Sequence, residues 1–228
     1  MSVWSSWNRR SRAAVAWAAA CVLVLPGAAR ADVLAGVVST KVRSGVTAAQ
    51  AVVYAEPVGG NAPTAPPKSY AITQKGKTFT PRVLGVPVGA TVRFPNDDDI
   101  FHNVFSLSPS HAFDLGLYRA GASKSRTFTT PGVVRVFCNI HPQMTALVVA
   151  VPTPWITTAA PDGAWRLELP AGRYRVTAMS ERASPVTVEV AVSGSATAAL
   201  ALDESAFVAV PHTNKFGRPY PEAAYKQP

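Results

Sequence analysis

A short loop in the second half of the chain carries three side chains that can bind a soft metal ion. Cys138, His141 and Met144 lie within the run Val-Phe-Cys-Asn-Ile-His-Pro-Gln-Met. His102 lies upstream, in Phe-His-Asn-Val-Phe. One thiolate, two imidazoles and one thioether form the ligand set of a mononuclear blue-copper site. The thiolate and thioether suit Cu(I) and imidazole suits both copper states, so the set fits an ion that changes oxidation state.

The spacing of these residues indicates how the site must form. Cys-x2-His-x2-Met places three ligands on one loop, where they can converge on one ion. The fourth ligand, His102, must come from a distant strand, so the complete site exists only in the folded protein.

The elements that must position the ligands are predicted to be strands. Helical periodicity is nearly absent, and Pro, Gly, Asn and Asp separate short β-rich runs at intervals typical of a β-sandwich. The stretch 106–125 holds either a short helix around 113–118 or an irregular excursion. The predicted strands of the first part are 33–39, 51–55, 78–84, 91–94, 126–129, 133–137 and 146–151.

The first residues, 1–31, are predicted to be an export signal. Arginines precede an apolar stretch that is too short to span a bilayer, and a small-residue site ends at Ala31. We expect cleavage after Ala31, a periplasmic mature protein and no retained membrane span. The pair Arg9-Arg10 leaves general secretion (Sec) and twin-arginine export both open. Cys21 lies inside the signal, so Cys138 remains without a partner for an internal disulfide.

Proline interrupts the strand pattern directly after an apolar strand, at Pro152-Thr-Pro154. We therefore predict one β domain over 32–152 and a smaller β unit over 153–203. From 204 to 228 the chain is Pro-rich and polar, which predicts a tail draped over the body.

Charge and residue counts exclude several functions. The net charge is +9, and removal of the signal leaves 18 basic and 13 acidic residues, or +5. These charges are scattered without interleaved aromatics, so no nucleic-acid partner is expected. A dinuclear copper centre needs a second cysteine, and a multicopper oxidase needs more than four histidines. No Cys-x-x-Cys-His is present to attach haem.

The residues around the ligands form an ordered set of motifs. They are Phe79-Thr-Pro-Arg-Val-Leu, Val86-Pro-Val-Gly-Ala-Thr-Val-Arg-Phe, Phe94-Pro-Asn-Asp, His102-Asn-Val-Phe, Thr127-Phe-Thr-Thr-Pro-Gly and Phe137-Cys-Asn-Ile-His-Pro-Gln-Met. With these motifs, residues 32–151 resemble the cupredoxins, closest to the amicyanin and plastocyanin group. The resemblance implies an all-β, eight-stranded Greek-key sandwich with one type 1 copper at one end.

The resemblance also implies a role for each ligand. Cys138 gives the short thiolate bond, and His102 and His141 complete a trigonal plane. Met144 provides a long axial contact that helps set the reduction potential. Asn103 is implied to act from the second shell, because in the family this side chain ties the two ligand loops together near the sulfur.

An electron port is implied at the edge of His141, which reaches the surface through an apolar patch in this family. Pro142 and Phe101 are expected to contribute to that patch, although Phe101 stands where the family often has proline. The acidic run 97–99 is either a solvated turn or a group that tunes the metal. His111 and His212 match no family ligand and are expected to be ordinary surface or core histidines.

The second unit resembles a different sandwich family. An Asp162-Gly163 turn is followed by alternating residues and by Leu-Pro-Ala-Gly-Arg-Tyr, which resembles the carboxypeptidase regulatory-like, prealbumin-type fold. Segments 186–192 and 196–202 are predicted to close this unit as a pair around Ser193-Gly194. We expect a structural or docking module packed on the first domain.

Three functions remain open at this point. The first is a blue-copper protein that carries single electrons between redox partners, such as a cytochrome c-like protein, a dehydrogenase or an oxidase. Exported proteins that combine a cupredoxin half with such a second β unit resemble the methylamine utilisation proteins. This resemblance implies a link to amine oxidation. The second is a copper trafficking or storage protein, and the third is a non-redox interaction protein on a cupredoxin scaffold. No enzyme is expected, because four ligands leave no open position for a substrate.

Overall fold

The computed structural model of this chain describes residues 1, 31–66 and 68–226. The predicted export signal therefore lies outside the described residues except at its two ends. Within the described ranges, no helix has the length and apolar content needed to cross a membrane.

The chain is all-β, as predicted, and its described residues form seventeen strands. The strands of the first part are β1 (Asp32–Lys41), β2 (Val52–Pro57), β3 (Tyr70–Ala71), β4 (Thr73–Lys75), β5 (Thr78–Thr80), β6 (Val83–Pro87), β7 (Thr91–Pro95), β8 (His102–Ser106), β9 (Phe113–Tyr118), β10 (Ser123–Thr127), β11 (Gly132–Phe137) and β12 (Thr145–Val151). The later strands are β13 (Ile156–Thr158), β14 (Ala164–Leu169), β15 (Gly172–Met179), β16 (Val186–Val192) and β17 (Ser195–Asp203). Two short 3-10 helices span Pro109–His111 and Glu222–Lys226.

Strands β3 to β12 build a central sandwich. One sheet has the order β6-β12-β11-β8-β9 and the other β10-β7-β3, which gives eight strands in the two sheets, with the hairpin β4-β5 beside them. Alternate residues of these strands enter one core, because successive side chains of a strand point to opposite faces. That core contains the aromatic side chains Phe79, Phe94 and Phe128 together with valines of β7, β8, β11 and β12.

Strands β1, β2 and β13 to β17 build a terminal sandwich. Its sheets have the orders β14-β1-β17 and β13-β2-β15-β16. Leu34, Val53, Trp165, Val176 and Leu200 are buried in the core between these sheets, one from each of five strands.

The pairing of β1 and β2 departs from the predicted division at residue 152. β1 lies between β14 and β17, and β2 lies between β13 and β15. Val33 is opposite both Glu168 of β14 and Ser195 of β17. The 32–152 unit thus gives its first two strands to the terminal sandwich, and the central sandwich is inserted between β2 and β13. The prolines near residue 152 mark a break in the chain, but they carry no information about strand partners.

Two further expectations differ from the structure. The 113–118 segment is strand β9, paired antiparallel with β8, and not a short helix. The predicted closing pair does not form a ladder, because β16 pairs with β15 whereas β17 pairs in parallel with β1. Both segments alternate in polarity, and alternation predicts a strand without predicting its neighbour.

The two sandwiches share an apolar contact through β12. Ala146, Val148 and Ala150 face the central core, whereas Leu147 and Val149 face the other way, toward the terminal sandwich. There they pack with Val52 and other side chains of β2, β13 and β15. β12 is buried on both faces, which explains why its sequence is a continuous apolar run.

Candidate metal centre

Three of the predicted ligands converge at one end of the central sandwich. His102 Nδ1 lies 3.2 Å from His141 Nδ1, and Cys138 Sγ lies 3.8 Å from His102 Nδ1 and 3.7 Å from His141 Nδ1. The centre of this triangle is about 2.1 Å from each atom, close to typical first-row metal–nitrogen and metal–sulfur bonds of about 2.0 to 2.3 Å. A single metal ion therefore fits between the three side chains.

Neighbouring strands bring the distant ligands together. His102 opens β8, and Cys138 directly follows β11, the strand beside it in the sheet. The two strands are in register at Phe105 and Phe137. The pairing of β8 with β11 thus brings His102 next to Cys138, although the two residues are far apart in the chain.

The ligand loop, residues 138–144, is a tight connection between β11 and β12. Met144 N donates to His141 O at 2.9 Å, and Cys138 N donates to Met144 O at 3.2 Å. These bonds fold the loop back on itself, and Met144 is buried with Cys138 in the central core. The fourth predicted ligand is therefore held on the same short loop as Cys138 and His141.

A carboxylate fixes the orientation of His102. Asp98 Oδ2 lies 2.7 Å from His102 Nε2, and the imidazole is fully buried. A carboxylate only accepts hydrogen bonds, so Nε2 is the nitrogen that donates to Asp98, and Nδ1 is the nitrogen that faces the triangle. Within the acidic run 97–99, Asp98 is therefore the residue in contact with a predicted ligand. Asp97 and Asp99 are exposed, as in a solvated turn.

Asp98 is itself held by the β4–β5 hairpin. Its carboxylate accepts from Gly76 N at 2.6 Å and from Lys77 N at 2.9 Å. Burial disfavours the charged form, but the hydrogen bonds from Lys77, His102 and Gly76 outweigh it and lower the pKa of Asp98 to about 2. The carboxylate is therefore ionised throughout the neutral range.

The sulfur of Cys138 lies in an apolar but hydrogen-bonding environment. Burial raises the pKa of the Cys138 thiol, and the backbone N–H groups of Asn103, Ile140 and His141 oppose that shift. Burial also lowers the pKa of His141, as does the nearby His102. The neutral imidazole that results is the form that binds a metal.

The side chain of Asn103 has a partner other than the one implied by the resemblance. Its Nδ2 donates to Asp114 Oδ1 at 2.7 Å, on β9. Its Oδ1 has no hydrogen-bond partner among the described residues. The backbone of Asn103, rather than its side chain, faces the Cys138 sulfur.

Exposed apolar side chains directly precede two of the ligands in the chain. His141 is half-buried, Ile140 before it is 44% exposed, and Phe101 before His102 is 53% exposed. Pro142, which was expected in this patch, is buried instead. The C-terminal tail covers it: His212 Nε2 lies 2.7 Å from Pro142 O.

The two histidines outside the ligand set have different environments. His111 is buried against Phe128 and within 3.4 Å of Thr130 Oγ1, as expected for a core histidine. His212 stacks on Phe137, which directly precedes Cys138, with ring centroids 4.0 Å apart. The tail, which was predicted to be draped over the body, thus lies against the ligand loop, whereas no local pattern in the sequence indicates Phe137 as the partner of His212.

The chain is similar in structure to several copper proteins, in each case over less than half of this chain's length. No protein-family model and no curated protein matches it. A copper-containing nitrite reductase (NirK) from Thermus scotoductus SA-01 is 28% identical over 42% of this chain and 25% of its own, with a TM-score of 0.36. A purple cupredoxin from Nitrosopumilus maritimus is 26% identical over 36% of this chain and 99% of its own, with a TM-score of 0.33. The Cu(I) form of a point mutant of amicyanin is 23% identical over 43% of this chain and 99% of its own, with a TM-score of 0.35.

The chain thus spans only a quarter of the length of the nitrite reductase. At these TM-scores the assignment of a metal centre rests on the ligand geometry of the chain itself.

Proposed function

We propose that the mature chain is an exported type 1 copper protein that carries single electrons between redox proteins. The triangle formed by His102 Nδ1, Cys138 Sγ and His141 Nδ1 is the observation that carries this proposal. Its size fits one ion, and its mixture of thiolate and imidazole suits copper. Copper bound there supplies a one-electron couple.

Each ligand has a proposed part. Cys138 would provide the thiolate, His102 and His141 would provide the two imidazoles, and Met144, buried on the same loop, would provide the thioether. This closed set leaves no position for a substrate, so we propose a carrier rather than an enzyme. The Nδ1 atoms of both histidines face the Cys138 sulfur, which is the arrangement that would let the three atoms hold one ion.

The exit for electrons is proposed at His141. Its ring is half-buried, and the exposed apolar side chains of Phe101 and Ile140 are its neighbours in the ligand segments. A partner docking there would approach the metal most closely through the imidazole. We propose a cytochrome c-like protein, a dehydrogenase or an oxidase in the periplasm as that partner, with amine oxidation as the associated pathway.

Optical spectroscopy of the purified mature protein tests this function. After addition of Cu(II), we expect an intense sulfur-to-copper charge-transfer band, reversible reduction and a stoichiometry of one copper per chain. Cys138→Ser should abolish the band, because it removes the only sulfur that can give a thiolate. Circular dichroism of the variant should remain that of a β protein, which separates loss of the ligand from loss of the fold.

Other results would point to the other two functions. A colourless protein that binds Cu(I) tightly would indicate trafficking or storage. A folded protein that binds no copper in either oxidation state would leave an interaction module on a β scaffold. Either result would overturn the electron-carrier proposal.

A further inference from the structure

Hydrogen bonds attach the first residues of the C-terminal tail, 204–207, to the terminal sandwich. The buried carboxylate of Glu204 accepts from Ala49 N at 3.0 Å and from Ser180 Oγ at 2.6 Å. Phe207 O accepts from Arg43 at 2.7 Å, and the guanidinium of Arg182 lies 5.6 Å from the centre of the Phe207 ring. The chain therefore leaves this sandwich from a fixed point.

After an exposed stretch, the tail reaches the ligand loop. Val208 and Val210 are 69% and 80% exposed, so this stretch spans the gap without packing. His212 then stacks on Phe137, their ring planes 18° apart, and its Nε2 lies within hydrogen-bond distance of Pro142 O. His212 therefore contacts Phe137, the residue before Cys138, and Pro142, the residue after His141.

Two more tail residues bind the middle of the ligand loop. Lys215 N donates to Asn139 Oδ1 at 3.0 Å, and the Tyr220 hydroxyl donates to Asn139 O at 3.1 Å. Tyr225 supports this arrangement by donating to His212 O at 3.2 Å.

The same segment also reaches β9, the strand beside the one that carries His102. Lys215 Nζ pairs with Asp114 Oδ2 at 2.7 Å. Asp114 Oδ1 in turn accepts from Asn103 Nδ2 at 2.7 Å, and Asn103 directly follows His102. The tail thus contacts the ligand loop directly and the β8 ligand segment through Asp114.

We propose that residues 212–225, here called the strap, are a positioning element of the metal centre. The proposal rests on the copper function above and extends it. The strap holds the ligand loop in the geometry that the metal needs, so the rate of copper loss depends on a segment outside the central sandwich. Groups that hold metal ligands in place commonly govern retention of the metal. On this view the terminal sandwich serves the copper centre by anchoring the strap.

Three variants of the full mature chain test the strap. His212→Ala removes both the stacking on Phe137 and the bond to Pro142, His212→Phe keeps only the stacking, and Tyr220→Phe removes one hydroxyl. Val210→Ala is the matched control, because this tail side chain is exposed and lies outside the strap. Copper release to a chelator, the position of the charge-transfer band and the reduction potential are measured for each.

We expect His212→Ala to release copper about tenfold faster than the wild type. The release rates of His212→Phe and Tyr220→Phe should lie between those of His212→Ala and the wild type. The release rate of Val210→Ala should equal that of the wild type. The band and the potential should shift in the same order, which a purely stabilising tail would not cause. Equal release rates and unshifted bands in all the variants would overturn the proposal.

Hydrogen exchange of the metal-free protein provides an independent readout. The amides of Cys138 and Met144, which close the ligand loop, should exchange faster in His212→Ala than in Val210→Ala. If no protein in the series binds copper, the electron-carrier proposal fails, and this exchange alone decides whether the strap holds the loop. Unchanged exchange in His212→Ala and Tyr220→Phe would then reject the strap as well.

Discussion

The contact between Asp98 and His102 is the residue-scale feature that most directly controls the candidate metal centre. The carboxylate determines which nitrogen of His102 is protonated, and it adds a full negative charge beside a buried ligand. The backbone of the β4–β5 hairpin keeps that charge in place through Gly76 and Lys77. A negative charge in a poorly solvated site stabilises the more positive oxidation state of a metal.

Asp98→Asn is therefore expected to raise the reduction potential. The amide oxygen can still accept from His102 Nε2 and Lys77 N, whereas the amide nitrogen would replace the oxygen that accepts from Gly76 N, so the charge is lost together with one hairpin hydrogen bond. We expect a rise on the order of tens of millivolts, from the loss of one partly buried charge. Protein-film voltammetry measures it, with Asp99→Asn as the matched control, because Asp99 is exposed. Equal shifts in the two variants would show that general surface charge, rather than this contact, sets the potential.

At the scale of elements, β1 shows how tightly the terminal sandwich is built. It is the middle strand of its sheet, and Gly36 is directly opposite both Trp165 and Ala198. A Cβ on Gly36 would lie 1.8 Å from the carbonyl oxygen of Ala198 and 2.9 Å from the Trp165 ring. The backbone of β17 cannot move away without breaking the ladder, so glycine is required there by close approach.

Gly36→Ala is expected to lower the free energy of unfolding by about 1–3 kcal/mol or more. The reason is overpacking against a backbone atom that has no freedom to rotate. Chemical denaturation followed by tryptophan fluorescence reports on this unit, since Trp155 and Trp165 both belong to it. Gly60→Ala is the control, because a Cβ there meets nothing within 4 Å. A midpoint for Gly36→Ala as high as that of the control would contradict this packing.

At the scale of the whole molecule, the central sandwich is an insertion between strands of the terminal one. β1 and β2 find their partners more than a hundred residues later in the chain, beyond the whole central sandwich. The faces of β12 join the two units through a shared apolar contact. The two sandwiches are therefore mutually dependent, although each has its own core.

A chain that covers only residues 32–152 is expected to fold poorly. It keeps β1 and β2 but lacks their partners, so Leu34 and Val53, both fully buried in the full chain, would face water. We expect aggregation or strong binding of a hydrophobic dye, measured by size-exclusion chromatography and fluorescence. A chain that covers 32–211 is the control, because it keeps both sandwiches and loses only the strap. A monodisperse, cooperatively unfolding 32–152 fragment would contradict the interleaved topology.

Local sequence determined the chemistry and the type of secondary structure of this protein. Cys138, His141 and Met144 are close in the chain, so their spacing alone indicates that they can share an ion. The alternating runs and their proline and glycine boundaries indicate strands, because side-chain direction in a strand depends only on residue parity.

Tertiary structure decided which strands pair and which groups surround the ligands. The partners of β1, the carboxylate on His102 and the strap over Pro142 all join residues that no local pattern connects. Strand partners depend on which apolar faces cover one another, and hydrogen-bond partners depend on which polar groups the fold leaves adjacent. Residue types and spacing therefore specified what the site can bind, whereas long-range packing specified how it is held.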